Sequence, residues 1–278
     1  MRTRTTRVAR RRTARATLTT LLLLAIAGPA AAQEGFPGEK TRDRWRNDVV
    51  LYLWAVNIDA DLTLGSTRAP VDVKFGDLFD KLKFAASIHY EGHKRNWGLM
   101  LDGSYVNLGE DGITVFQGPD ELTVTADYRL KLYAGEVALM WIPVDLGSQS
   151  LNFLGGVRYN ALDADLELTA TGIPGSSEGG FEESWVDPIV GVRWRIGWGK
   201  YDRWFFMLRS DIGGFGVGSD LAFNLVADFG YRISRVITVG LGGRYLYTDY
   251  SSGTIDTDGY FAFKGDEFGL LAGVGFRF

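Results

Sequence analysis

The sequence predicts an all-β protein: a single transmembrane, antiparallel, up-and-down β-barrel of ten strands, preceded by a cleaved signal peptide. Three observations carry this expectation. Apolar residues recur at every second position through many segments, short and long connections alternate between those segments, and the last segment is an apolar row ending on Phe278. Successive side chains of a strand point to opposite faces, so a lipid-facing strand surface demands the first pattern. Crossing a bilayer back and forth, with tight turns on one side and loops on the other, produces the second.

Residues 1–32 read as an export signal rather than as part of the fold. Seven arginines between Arg2 and Arg15 precede a short apolar run, Leu18 to Ala27, and then Gly28-Pro29 and Ala30-Ala31-Ala32. Small residues before the cleavage point fit a signal peptidase site, and the run is too short to span a bilayer as a helix. Residues 33–47 are expected as a periplasmic N-terminal segment, with the barrel over 48–278.

Of the chain's 30 basic and 34 acidic side chains, seven arginines lie in that signal, so the mature protein carries 23 against 34, a net charge near −11. That balance argues against nucleic acid as a partner. The absence of cysteine leaves no disulfide framework and no lipoprotein anchor. No later stretch reaches the 18 apolar residues of a membrane helix, while 36 glycines and abundant aromatics suit either a membrane barrel or a soluble β-sandwich.

Alternation separates those two. The final strand places Phe268, Leu270, Ala272, Val274, Phe276 and Phe278 on one face, against Gly269, Leu271, Gly273, Gly275 and Arg277. Segment 97–106 alternates Trp97, Leu99, Leu101 with Gly98, Met100, Asp102. Segment 186–196 sets Val186, Pro188, Val190, Val192 and Trp194 against Asp187, Ile189, Gly191, Arg193 and Arg195; segment 222–232 behaves likewise. Charges recurring opposite an apolar face would be costly in a sandwich core but suit a polar lumen. Aromatics near strand ends (Trp45, Tyr52, Trp54, Trp97, Trp141, Trp185, Trp198, Trp204, Tyr245, Tyr247) read as an interfacial girdle.

The expected strands are 48–58, 83–92, 97–108, 121–142, 151–168, 184–198, 204–212, 221–232, 236–249 and 265–278. Within 59–82, Val71 to Phe75 suits a further strand and Asp77 to Leu82 a helical turn, so counts of eight or twelve are also compatible. Two phases slip. Asp127, Arg129 and Lys131 are out of step with Glu136, and Asp163, Asp165 and Glu167 with Arg158. Bulges near Gly135 and Ala161 would repair both; strand ends projecting above the membrane would explain them equally, and better for 163–167. The short turns are basic (Lys94, Arg95, Lys200, Arg203, Arg235) and the long loops acidic (Asp59, Asp61, Glu110, Asp120, Glu182, Asp256 among them).

Val274, Phe276 and Phe278 match the terminal signature read by the outer-membrane barrel assembly machinery. Trp185 to Arg193, Asp211 to Ser219 and Gly243-Arg244-Tyr245 resemble segments of a widespread family of uncharacterised Gram-negative outer-membrane β-barrel proteins, among small OmpA/OmpW-like or porin-like barrels. The resemblance covers nearly the whole mature chain. It implies the barrel fold and an outer-membrane location, with no reaction and no catalytic residues.

Arg129, Arg158, Asp187, Arg193, Arg195, Arg209, Asp211, Asp228, Arg232, Arg244 and Arg277, with Glu91, Asp102 and Asp127, fall at lumen positions. A barrel near eight strands is just wide enough for side chains to fill. The charges therefore read as a paired plug or as the lining of a narrow porin-like path for small solutes or ions. His89 and His93 share the lumen face with Ser87 and Glu91, which raises the alternative of a barrel-embedded lipid-modifying hydrolase. Ser87 and His89 are two apart on one strand, about 6–7 Å, too far for direct activation. Asp59 with Asp61, and Asp256 with Asp258, are oxygen pairs without calcium-loop spacing. No catalytic residue, metal or cofactor is expected. Outer-membrane lipid and lipopolysaccharide are the expected surroundings, and the sequence leaves the oligomeric state open.

Overall fold

The computed structural model describes residues 45–117, 123–170, 176–257 and 259–278; the expected signal peptide, nearly all of segment 33–47, Asp120 and Asp258 lie outside the described residues. Among the described residues eleven strands form one antiparallel sheet: β1 (Arg46–Leu64), β2 (Thr67–Val73), β3 (Leu82–Lys94), β4 (Trp97–Gln117), β5 (Thr123–Asp145), β6 (Gln149–Ala170), β7 (Ser176–Trp198), β8 (Trp204–Gly214), β9 (Leu221–Arg232), β10 (Ile237–Ser252) and β11 (Phe261–Arg277). Apart from β2, neighbours along the wall follow chain order, and β11 pairs with β1 along its length, from Asp48↔Arg277 to Leu64↔Phe261, so the wall closes into a barrel.

The expected segment 59–82 resolves into a detail of that closure. On its other side β1 pairs first with β3, Arg46 to Tyr52, and farther out with β2, Ile58 to Leu64. β2 is thus a short outer strand, and helix α1 (Phe75–Lys81) carries the chain from it to β3. The Phe75 N–H donates to the Asn57 side-chain oxygen at 3.0 Å, tying the helix to β1. Ten strands form the wall, and β2 is added to one of them.

The outer surface carries the apolar band. On β5, Val137, Leu139 and Trp141 face out, with Tyr133 beyond them. From Tyr133 to Trp141 is roughly 26 Å along the strand at about 3.3 Å per residue, which a tilted strand turns into a membrane-scale belt. At its inner rim Trp97 pairs with Trp141 and Trp198 with Trp204, all exposed. At the outer rim Tyr105 pairs with Tyr133. The row ending on Phe276 and Phe278 continues the belt, with Leu270 73% exposed.

Beyond that rim the strands continue. The expected connections 108–121 and 169–183 are mostly strand, because β4, β5, β6 and β7 run well past the belt. The 23 residues of β5 and of β7 stand beside the 11 of β8, so the outer wall is tall on one side and low on the other. Of the two readings of the phase slips, this bears out strand ends projecting above the membrane and not bulges. The β5–β6 register runs unbroken from Val124↔Ala170 to Trp141↔Phe153, with no shift at Gly135 or Ala161. Asp127, Arg129, Lys131, Asp163, Asp165 and Glu167 are therefore on the outward face, above the lipid. There Lys131 pairs with Asp163 at 2.6 Å. Alternation fades in this region because water bathes both faces.

Candidate functional site: the barrel lumen

Lumen-facing positions converge on a belt of charge at mid-height. Glu136 on β5 accepts from Arg158 Nε of β6 at 2.7 Å and from Arg209 Nη2 of β8 at 2.6 Å. Asp211, two residues beyond Arg209, accepts from Arg158 Nη2 at 2.6 Å and from Asn224 Nδ2 of β9 at 2.8 Å. Arg244 of β10 donates through Nε to the Asn224 side-chain oxygen at 2.9 Å, stands 3.6 Å from Glu136, and lies over the Trp54 ring. Side chains from β5, β6, β8, β9 and β10 are thereby cross-linked through the bore. Arg158 is 1% exposed and Asn224 fully buried. Strand period two explains why: one residue in two from every strand must point inward, and ten strands leave room for long side chains but little water.

Inward of this belt, toward the short turns, a second cluster centres on Glu91. It accepts from Arg193, from His89 Nε2 at 2.9 Å and from His93 Nε2 at 2.9 Å. His89 Nδ1 faces Asp102 at 2.9 Å, and the Tyr52 hydroxyl donates to the same carboxylate at 2.8 Å. Both ring nitrogens of His89 are thus occupied by carboxylates, and Ser87 sits opposite Ser104 in the β3–β4 ladder. Beside these charges Met100, Ala138, Met140, Leu154 and Ile189 form a buried apolar cluster, Met100 opposite Glu91 in the β3–β4 register.

Outward of the belt the lumen turns aromatic. Trp185 of β7 stacks on Tyr250 of β10 at 4.2 Å between ring centroids, and Phe261 packs beside them. Asp187 accepts from Trp185 Nε1 at 3.2 Å and from the Ser219 N–H at 2.6 Å, which pins the β8–β9 turn inward. The Tyr250 hydroxyl donates to Glu183 at 2.6 Å.

Among the residues expected at the lumen, Asp187, Arg193, Arg195, Arg209, Asp211, Asp228, Arg232 and Arg244 occupy inward positions of their strands. Arg129 does not: it is exposed on the outward face of β5, and Asp127 accepts from the Gly112 N–H on the same extension. Both follow from the straight β5 register. The hub itself, Glu136, was not among the expected lumen residues. Its strand is apolar on both faces, Val137, Leu139 and Trp141 against Ala138, Met140 and Ile142, so period two carries no contrast there. Tyr52, Trp54 and Trp185 are corrections to the expected girdle, since all three point inward; Trp97, Trp141, Trp198 and Trp204 lie on the outer surface. Asp61 pairs with Arg68 of β2 at 2.5 Å, and among the described residues no acidic or histidine cluster is arranged to hold a metal ion.

No family model and no curated protein matches the chain. Solved structures do resemble it. The outer-membrane protease OmpT of Escherichia coli is 12% identical, with 86% of this chain and 98% of that chain covered and a TM-score of 0.43. The attachment invasion locus protein Ail of Yersinia pestis is 10% identical, covering 84% and 98%, at 0.34. The toluene transporter TodX of P. putida is 8% identical, covering 84% and 90%, at 0.32. Likenesses of this degree transfer no activity to this chain.

Proposed function

We propose that the chain is a non-enzymatic outer-membrane barrel whose lumen is closed by its own side chains and which acts as a structural or surface-interaction element. The Glu136–Arg158–Asp211–Arg209 belt carries this reading. It ties β5, β6 and β8 together through the lumen at 2.6–2.8 Å while remaining almost wholly buried, which supports a bore without a water column. The tall outer wall of β4 to β7, with Glu110, Asp111, Glu178 and Glu182 on it, is the surface offered to lipopolysaccharide or to other cells' molecules. Insertion is assigned to the assembly machinery acting on the β11 row that ends on Phe278. The hydrolase reading loses its base, because Glu91 and Asp102 hold both nitrogens of His89.

A narrow permeation path is the second reading. Asp228 favours it: it faces the lumen and takes part in no ion pair among the described residues. Planar-bilayer recording decides between them. The wild-type barrel is expected to be silent, and the double variant Glu136→Ala/Arg158→Ala to show stepwise conductance. Wild-type steps altered by Arg193→Ala would overturn the closed reading in favour of the pore. Lipid A mass spectra that differ between cells with and without the protein would overturn the non-enzymatic reading.

A further inference from the structure

Charge pairing runs out at the inner end of the lumen. Arg195 near the end of β7, Arg232 closing β9, Arg277 closing β11 and Arg46 opening β1 stand at inward positions around the mouth on the short-turn side. Arg195 is largely buried, and the strongest charges acting on it, Arg232, Arg277, Arg46 and Arg193, are of its own sign. Asp48 is taken: Arg277 Nε donates to it at 2.6 Å and Arg46 Nε lies 3.8 Å away, with Asp145 and Glu91 also acting on Arg46. Asp202, in the β7–β8 turn, contributes field at Arg232 without an ion pair. Among the described residues no ion pair reaches Arg195 or Arg232. Arg195 is held with its guanidinium over the Phe205 ring at 4.7 Å, and its Nη2, buried from solvent, has no hydrogen-bond partner.

Like charges gathered in a partly dry mouth repel one another; Arg277 ties β11 to β1 through Asp48, whereas Arg195 and Arg232 take part in no ion pair among the described residues. The belt above shows what this lumen does when arginine serves structure: each guanidinium meets a carboxylate. At the mouth Arg195 is instead oriented by an aromatic ring and meets no carboxylate, its buried Nη2 unpartnered as Arg158 Nη1 and Arg209 Nε also are in the belt. A planar fork of donors matches a phosphate oxygen pair. We propose that the inner mouth binds a small phosphate-bearing solute, gripped by Arg195 and Arg232 and flanked by Arg277. Short turns of such barrels face the periplasm, so the solute enters from that compartment. Lys200, Arg203 and Arg235 in the surrounding turns add to the positive field that draws it in. A phospholipid headgroup carries the same phosphate, but it sits outside the wall, beyond the Trp198 and Trp204 rim, whereas these arginines point inward.

The test uses the full barrel folded in zwitterionic micelles, melted against sodium phosphate and against sodium chloride at equal ionic strength. Wild type is expected to show a saturable rise in melting temperature with phosphate alone. Arg195→Gln/Arg232→Gln is expected to melt higher than wild type without phosphate, since repulsion is relieved, and to lose the phosphate response. Arg232→Lys keeps the charge and removes the fork; it is expected to bind about tenfold more weakly, and it covers the case in which the double variant does not fold. Arg129→Gln, on the outward extension of β5 far from the mouth, should keep the response. Phosphate and chloride acting alike on wild type would overturn the proposal, as would an unchanged response in Arg232→Lys. Stabilisation by phosphatidylglycerol vesicles but not by inorganic phosphate would overturn the solute assignment.

Discussion

Replacing Glu136 by alanine removes the acceptor shared by three guanidiniums. Arg158 and Arg209 lose bonds of 2.7 and 2.6 Å, Arg244 loses a neighbour at 3.6 Å, and Asp211 alone is left to compensate them. Breaking a buried pair by deleting one partner costs about 3–5 kcal/mol, because the other charge stays buried. At 1.4 kcal/mol per tenfold, that is roughly a hundred- to a few-thousandfold in the unfolding equilibrium. Urea unfolding in detergent micelles, followed by tryptophan emission and by the mobility difference between heated and unheated samples, reads it directly. Two comparators calibrate the result. Arg129→Ala, exposed on the outward extension of β5, should stay within about 0.5 kcal/mol of wild type. Replacing Glu136, Arg158, Arg209 and Asp211 together by apolar residues of similar volume should cost less than Glu136→Ala alone, since no stranded charge remains. A Glu136→Ala variant no less stable than Arg129→Ala refutes the belt as the structural core of the lumen.

Depth in the membrane, rather than exposure, should govern the outer surface. Leu270 and Leu146 are each 73% exposed, yet Leu270 lies in the apolar row of β11 and Leu146 in a short inner turn. Leu270→Arg is expected to destabilise by about 2–4 kcal/mol and Leu146→Arg by about 0–1, measured by refolding into lipid vesicles; equal costs would place the belt elsewhere. Gly269→Ala should lower refolding yield sharply, because a Cβ there overlaps the backbone carbonyl of Ala55 on β1, and a normal yield would contradict the β1–β11 register. Trp185→Ala alone should leave bilayers silent, since the charged belt still closes the bore beneath the aromatic layer; conductance from that variant would move the constriction to the aromatic layer.

The barrel was legible in the sequence wherever its two faces differ in chemistry. Val190, Val192 and Trp194 against Asp187, Arg193 and Arg195 on β7, or Phe268 to Phe278 on β11, announce both strand and sidedness. Legibility fails for two physical reasons. Where the strands leave the lipid, both faces are polar, so the ladder continues from 108 to 117 and from 176 to 183 without an alternation signal. Where the lumen is itself apolar, as along Ala138, Met140 and Ile142, both faces look alike, and Glu136 loses the neighbours that would have shown its side. The aromatic rule also has two meanings in one sequence. Trp97 and Trp141 form a rim, while Trp185 and Trp54 fill a bore, and only strand parity separates them. The sequence reading places Asp127 and Arg129 in the lumen although the phase slip against Glu136 leaves a projecting strand end as an equal reading, and that reading holds.

The lumen is ordered along its axis in a way that bears on both proposals. From the outer side come a stacked aromatic layer, an Arg–carboxylate belt, a histidine–carboxylate cluster with Met100 beside it, and last a ring of arginines of which Arg195 and Arg232 meet no carboxylate. A permeation path for ions would need weak, repeated sites that release as readily as they bind. The belt offers the opposite: opposite charges held against one another at 2.6–2.8 Å. Excess positive charge accumulates at the one end where the paired belt no longer crosses the bore. A group that enters there meets open donors and then a closed wall, so it is held rather than passed. Closure of the bore and binding at its mouth are therefore consequences of the same arrangement, and a mouth variant can lose phosphate without opening the barrel.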